Sequence, residues 1–406
     1  MDKSFLSGTR RDFLAGASGA ALAATGCTHK PVAPEKPAGA TLELKDFQPR
    51  SMLAVPETRI ERAKFPVIDV HTHVYMYPTV AGKDSGANPV QIPKEQLDQI
   101  VKWMDEVNIQ LMVNSTGGSG DNLRKTIADL PGSYPGRFLV LTEPAWGRIA
   151  EPGYAKWQAD EFARAREAGA VGIKILKDLG LYLREKIREE PLIKIDDPRF
   201  DPMWEAAGAL KMPVFIHTAD PDAFFTPVDR FNERWEELGN HPDWAFIGKD
   251  YPTKPELLAA RNRVIERHPK TTFVGHHVAN RPENLGEVSQ WLDKYPNLYV
   301  ETGARLGEIG RQPYTAHKFF ERFQDRIMVG TDATPNATAY PQQDLRPELF
   351  RCYFRFFETM DEYFDYSPAP VPPQGRWKIY GIALPDSILK KIYHGNAARL
   401  LGLKVV

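Results

Sequence analysis

Residues 65–73 read Phe-Pro-Val-Ile-Asp-Val-His-Thr-His, an apolar, β-branched run that closes on two imidazoles. Residues two apart on a strand face the same side, so His71 and His73 point together beyond the strand's C-terminal end. A solitary His-x-His is weak ground for a metal, because strand histidines are often satisfied by their neighbours. Three later segments change its weight. Val214-Phe215-Ile216-His217, Val274-Gly275-His276-His277 and Val329-Gly330-Thr331-Asp332 each end an apolar run on a metal-ligating or acid/base residue. A parallel barrel gathers its chemistry at such strand ends. The four segments together predict a metal-dependent active site.

The remaining pattern supplies the barrel. Strands are predicted at Val67 to His73, Ile109 to Ser115, Arg137 to Thr142, Ala170 to Leu176, Pro213 to Thr218, Thr272 to His277, Leu298 to Thr302 and Ile327 to Asp332. They alternate with helical patterns, such as the apolar face of Leu97, Ile100, Val101 and Met104 and that of Leu285, Val288 and Leu292. Alternating β and α segments read as a parallel α/β sheet, and eight strands close a (β/α)8 TIM barrel. Two connections are long, 177–197 and 219–253, the second carrying Phe224, Phe225, Phe231, Trp235 and Trp244. Loops that follow strands lie on the catalytic face, which makes both candidate walls or lids.

Composition narrows the chemistry. A formal net charge of −1 and the absence of a dense Lys/Arg run give no surface for nucleic acid. The expected partner is a small-molecule substrate. Cys27 and Cys352 are the only cysteines, too few for a cysteine zinc site, so a metal must rest on His, Asp, Glu or a modified Lys.

The N-terminus reads as an address. Arg10-Arg11 precedes a mildly apolar, Ala/Gly-rich stretch from Leu14 to Gly26, too short for an ordinary membrane span. The pair resembles a twin-arginine export signal, and Ala24-Thr25-Gly26-Cys27 resembles a lipoprotein cleavage box with Cys27 lipidated. A cleaved soluble signal is the alternative. The expected organisation is an export signal at 1–26, a Pro-containing tether at 27–48 and a barrel domain at 49–406. The expected location is the periplasm or cell envelope, with membrane attachment through the Cys27 lipid.

The order His-x-His, His, His, Asp on strands one, five, six and eight resembles the amidohydrolase superfamily. Phe65-Pro-Val-Ile-Asp-Val-His-Thr-His, Ala170-Val-Gly-Ile-Lys-Ile, Phe273-Val-Gly-His-His-Val, Arg326-Ile-Met-Val-Gly-Thr-Asp and His394-Gly-Asn-Ala-Ala-Arg-Leu-Leu are similar to the branch containing aminocarboxymuconate-semialdehyde decarboxylase and its hydrolytic relatives. The resemblance covers about residues 65–402. It implies one divalent metal held by His71, His73, His217 and Asp332, a set that suits Zn2+, with Mn2+ or Fe2+ as alternatives. It also implies that Asp332 takes a proton from metal-activated water and that His277, without ligating, polarises the substrate carbonyl or steadies the developing oxyanion. The doublet departs from the family's single histidine; strand alternation would let only one ring, His277, face the mouth.

Other residues carry further readings. Lys174 on the fourth strand is a carboxylated bridge between two metals, an ammonium for a substrate carboxylate, or a residue that simply closes the strand. Asp69 reads as a supporting carboxylate. Arg305 and Arg311, after the seventh strand, are candidates to clamp an acidic substrate. The 361–380 segment either packs on the barrel or walls the pocket. The expected reaction is hydrolysis of an ester, lactone or amide; its rival is non-oxidative decarboxylation of an unsaturated or aromatic acid, since the barrel does not choose between them. A metal-containing binder is a third reading, against which stand His277 and Asp332, groups that mere binding does not require.

Overall fold

The computed structural model describes residues 41–76, 92–184, 190–337, 341–369 and 374–404. Arg10, Arg11, Cys27 and most of the expected tether lie outside the described residues. The chain divides into two units, 1–51 and 52–406. The described part of the first holds a short 3-10 turn, Leu44–Asp46, with Phe47 N–H donating to the Leu44 carbonyl at 3.1 Å.

The second unit contains strands β1 Val67–Thr72, β2 Ile109–Asn114, β3 Phe138–Thr142, β4 Gly172–Ile175, β5 Val214–Ile216, β6 Phe273–Gly275, β7 Leu298–Glu301 and β8 Ile327–Met328. Each pairs in parallel with the next, in sequence order. Val70 N–H donates to Val329 O at 3.0 Å, Asp332 N–H to His71 O at 2.7 Å and His73 N–H to Ala333 O at 2.8 Å, bringing the last strand back to the first. This is the expected (β/α)8 barrel. The strands are shorter than predicted mainly because several strand-end residues leave the ladder to build the site.

The two strand faces separate cleanly. Ile68, Val70, Val113, Phe215, Val274 and Met328 form one buried cluster with Ala397 and Ala398, while Val67, Ile109, Ile173, Val214, Phe273 and Leu298 belong to the larger core shared with the helices. Lys174 pairs in register with Phe215, and Glu301 with Met328, which puts both charged groups on the inner face. The helix Asn396–Leu401 is tied to the end of β8: Asn396 Nδ2 donates to Ile327 O at 2.7 Å. On the outside, Lys94–Val107 buries Leu97, Ile100 and Met104, with Val101 at the edge of that face, and Leu285–Lys294 buries Leu285, Val288 and Leu292. These are the predicted apolar stripes at 3.6 periodicity. Among the described residues no helix is long and apolar enough to cross a membrane.

The long connections contain short helical turns, including Asp178–Leu181 after β4 and Asp222–Phe225 and Trp235–Asn240 after β5. Phe224 is buried and stacks on Trp244, whereas Phe231 and Trp235 are exposed. Fully buried Arg234 anchors the β5 connection through ion pairs with Glu237 at 2.6 Å and with Glu308 after β7.

Candidate metal centre

β1 delivers His71 and His73 to the top of the barrel, and the residue that closes β8 onto it, Asp332, meets them there. His71 Nε2 lies 3.2 Å from His73 Nε2 and 3.0 Å from Asp332 Oδ1, and His73 Nε2 lies 2.9 Å from the same oxygen. Metal–ligand bonds of about 2.0–2.1 Å at tetrahedral angles put ligand atoms roughly 3.3 Å apart, so this triangle fits one face of a small cation's coordination shell. The three ligand atoms suit a divalent metal in kind as well as spacing.

Hydrogen bonds on the far side of each ligand hold the triangle. Thr116 Oγ1 donates to Tyr75 O at 2.7 Å and stands 2.9 Å from His73 Nδ1, so it accepts the Nδ1 hydrogen and leaves Nε2 as a lone pair. Burial pushes His73 down to about 4, which keeps that lone pair free of protons near neutrality. Gln343 Nε2 donates to Asp332 Oδ2 and, at 3.0 Å, to Asp332 O. Burial opposes the Asp332 charge, but the close approach of the His71 ring, and after it that of the His73 ring, outweighs it and holds the carboxyl well below the usual range. Asp69 accepts from His71 N at 3.1 Å and from the Thr331 hydroxyl at 2.5 Å, a brace between β1 and the residues after β8.

The sixth strand departs from the expectation. β6 stops at Gly275, and His277, Val278, Ala279 and Asn280 all take positive φ, between 52° and 57°. A run of left-handed residues, one of them β-branched, is costly for L-amino acids. Because the chain turns within the doublet, alternation no longer applies and both rings are buried beside His71. The His71 and His276 ring centroids are 3.7 Å apart, and those of His71 and His277 5.1 Å. His277 Nδ1 sits 2.8 Å from Gly303 O; a carbonyl only accepts, so Nδ1 carries the hydrogen. Burial, then the charge of Arg305, pushes His277 well down, so the ring is neutral and Nε2, buried with no partner among the described residues, is an acceptor. In this tautomer the ring offers a lone pair at Nε2.

His217 follows β5 with its ring 4.3 Å from that of His277, and its Nε2 faces Asp220 Oδ1 at 3.3 Å, with Lys177 Nζ on the other Asp220 oxygen at 2.6 Å. It does not join the His71, His73 and Asp332 triangle in this arrangement. Lys174 Nζ lies 3.2 Å from His71 Nε2, where an ammonium and a metal compete for one lone pair; burial lowers this lysine to about 8. Arg305 is buried, donates to Ala304 O at 2.8 Å, and its Nε has no partner among the described residues. Arg311 is engaged elsewhere, forked onto Glu233 at 2.9 and 3.0 Å and lying over Trp377. Trp377 stacks on Tyr366, and Phe364 pairs with Ile379, so these parts of 361–380 pack on one another and on Arg311.

Three residues were missed in the sequence. Glu301, fully buried at the end of β7, reaches His71 Nδ1 at 3.2 Å, His276 Nδ1 at 2.9 Å, and the backbone N–H groups of His277 and Gly303 at 2.6 Å each. Burial opposes its charge most strongly, yet His71 and the bonds from His276 and His71 hold it well below the usual range. Glu143, just after β3, accepts from Gly118 N at 2.9 Å; burial pushes it up to about 8. Gln343 is the third. The signal that could have found the two glutamates is the one used for the histidines, a charged residue closing an apolar strand run. Gln343, in the short 3-10 turn Pro341–Gln343, carried none.

Comparison with known proteins follows the fold. 2,6-Dihydroxybenzoate decarboxylase from Rhizobium is similar at 15% identity, over 83% of this chain and 99% of its own, with a TM-score of 0.50. A dihydroxybenzoic acid decarboxylase from Polaromonas, with bound manganese and 2-nitroresorcinol, is similar at 16% identity over 83% and 97%, TM-score 0.49. A probable 2-pyrone-4,6-dicarboxylic acid hydrolase from Acinetobacter baumannii, with citric acid bound, is similar at 13% identity over 84% and 100%, TM-score 0.48. Likeness at these identities concerns the fold. No curated protein matches the chain in sequence. The family described as Amidohydrolase matches residues 68–403. Since that match runs from the first strand of the barrel to its C-terminal helix, the chain belongs to the amidohydrolase family of enzymes.

Proposed function

We propose that the enzyme hydrolyses an ester, lactone or amide bond of a small molecule, with one divalent metal, Zn2+ by preference, held by His71, His73, Asp332 and, after a turn of its ring away from Asp220, His217. The observation that carries this reading is the pair of acceptors at one centre, Asp332 Oδ1 in the ligand triangle and, beside it, His277 Nε2, without a partner among the described residues. The metal would lower the pKa of a water and polarise the scissile carbonyl. Hydrolysis also needs groups that take a proton and return it to the leaving atom. Asp332, its carboxylate held in place by Gln343 donating to Oδ2, takes the proton. Neutral His277, its Nδ1–H on Gly303 O, orients the attacking hydroxyl or receives its hydrogen at Nε2.

A second reading rests on different groups. Lys174 and Arg305 are buried cations near His71 and His277, and the Arg305 Nε is unpartnered among the described residues. They suit a carboxylate-bearing substrate and so support non-oxidative decarboxylation. Export through the Arg10-Arg11 signal, with a lipid on Cys27, remains part of the proposal and favours an environmental substrate. The test is elemental analysis of purified protein, then turnover against esters, lactones, amides and aromatic acids, with CO2 release recorded. We expect close to one metal per chain, lost in His71→Ala, and acid production without CO2. CO2 as the sole product would replace the first reading with the second, and unchanged metal content in His71→Ala would overturn the assigned centre.

A further inference from the structure

Four donors converge on the Glu301 carboxylate: the His71 and His276 Nδ1 atoms and His277 N on Oε1, and Gly303 N on Oε2. The group is inaccessible to solvent, and the backbone around it is shaped for it. A Cβ on Gly330 would stand 2.1 Å from Glu301 Oε2, and a Cβ on Gly303 would stand 2.8 Å from both that oxygen and His71 Nδ1. Only glycine at both positions lets the carboxylate reach β1 and β6 at once. A carboxylate facing four N–H groups has nothing but acceptors to offer, so the tautomer of each ring it touches is decided by it.

We propose that Glu301 is the positioning residue of the centre: its carboxylate takes the Nδ1 hydrogens of His71 and His276, so that His71 presents Nε2 as a lone pair at the triangle and His276 is held as a spacer tilted against the His71 ring. This rests on the metal reading above for its consequence, though not for the tautomer itself. His276 thereby acquires a role: Glu301 clamps it 3.7 Å from the His71 ring, where it limits how that ligand can rotate. Glu301 touches no reacting atom and acts through His71. Groups of this kind, bonded to the far nitrogen of a ligating histidine, set ligand orientation and basicity, and losing one weakens metal affinity about 10- to 100-fold.

The tautomer is measured directly on the full chain labelled with 15N-histidine, treated with chelator, with ring signals assigned through His71→Gln and His276→Gln. We expect His71 and His276 as Nδ1–H tautomers in the wild type; His71 found as Nε2–H overturns the proposal whether or not any variant folds. The second measurement is Zn2+ affinity by competition with a chromophoric chelator, well below the melting transition. Glu301→Gln, whose amide has one acceptor oxygen for four donors, should bind Zn2+ about 10- to 100-fold more weakly than wild type. Wild-type affinity in a folded Glu301→Gln protein overturns the proposal. A wild type that binds no Zn2+, Mn2+ or Fe2+ counts against the proposed function instead, and the tautomer still judges Glu301.

Discussion

Replacing Glu143 with Gln should stabilise the enzyme at alkaline pH and change it little at pH 5. Glu143 is buried, one oxygen accepting from Gly118 N and the other without a partner among the described residues, and burial raises it from 4.5 to about 8 against the lowering influence of Lys174. An acid whose folded pKa is raised binds its proton more tightly when folded. Its contribution is therefore complete below pH 4.5 and is lost progressively until about pH 8, beyond which the loss is constant. The span between 4.5 and about 8, at about 1.4 kcal/mol per unit, sets a ceiling on the order of 5 kcal/mol. Gln matches the protonated acid in shape, keeps an acceptor for Gly118 and cannot ionise. Thermal unfolding of both proteins, metal-saturated, at pH 5 and pH 8.5 is the assay. The melting point of Glu143→Gln minus that of wild type should be larger at pH 8.5, by up to roughly 10 °C, given about 2–4 °C per kcal/mol for domains of 150–250 residues and less for larger ones. An equal difference at the two pH values would refute a raised Glu143.

The other expectations concern the site and the address. His277→Asn should retain metal while kcat falls on the order of 10²- to 10⁴-fold, the usual cost of a lost proton-transfer partner; metal loss with unchanged kcat at saturating metal would make the ring a ligand instead. Arg305→Lys should raise KM for carboxylate-bearing substrates more than for their methyl esters, and equal shifts would remove Arg305 from substrate binding. Cell fractionation should find the native chain with membranes and Cys27→Ser without lipid; recovery of the native chain only from the cytoplasm would end the export proposal.

The barrel was legible because its evidence is local. Eight apolar runs separated by helical stripes need only period and order to be read, and every predicted strand has its counterpart. The convergence of His71, His73 and Asp332 was legible for the same reason, since a parallel barrel brings successive strand ends to one face whatever loops intervene. What failed was extending strand alternation past a strand's end. Positive φ from His277 to Asn280 turns the backbone out of the ladder, so both rings of the doublet enter the site. Distance along the chain also hid the supporting groups. Glu301 lies 230 residues from His71, and Gln343 sits 11 residues beyond Asp332, in a 3-10 turn too short for a periodic pattern. Arg305 and Arg311 look alike in sequence, yet the fold surrounds Arg311 with Glu233 and Trp377 and leaves the Arg305 Nε without a protein partner among the described residues. Side-chain chemistry and strand order therefore announce which residues can serve a metal, being properties of single segments. Which nitrogen carries a hydrogen, which oxygen is engaged and which cation keeps a free N–H depend on atoms from several strands meeting in a space closed to water, and only the tertiary structure decides them.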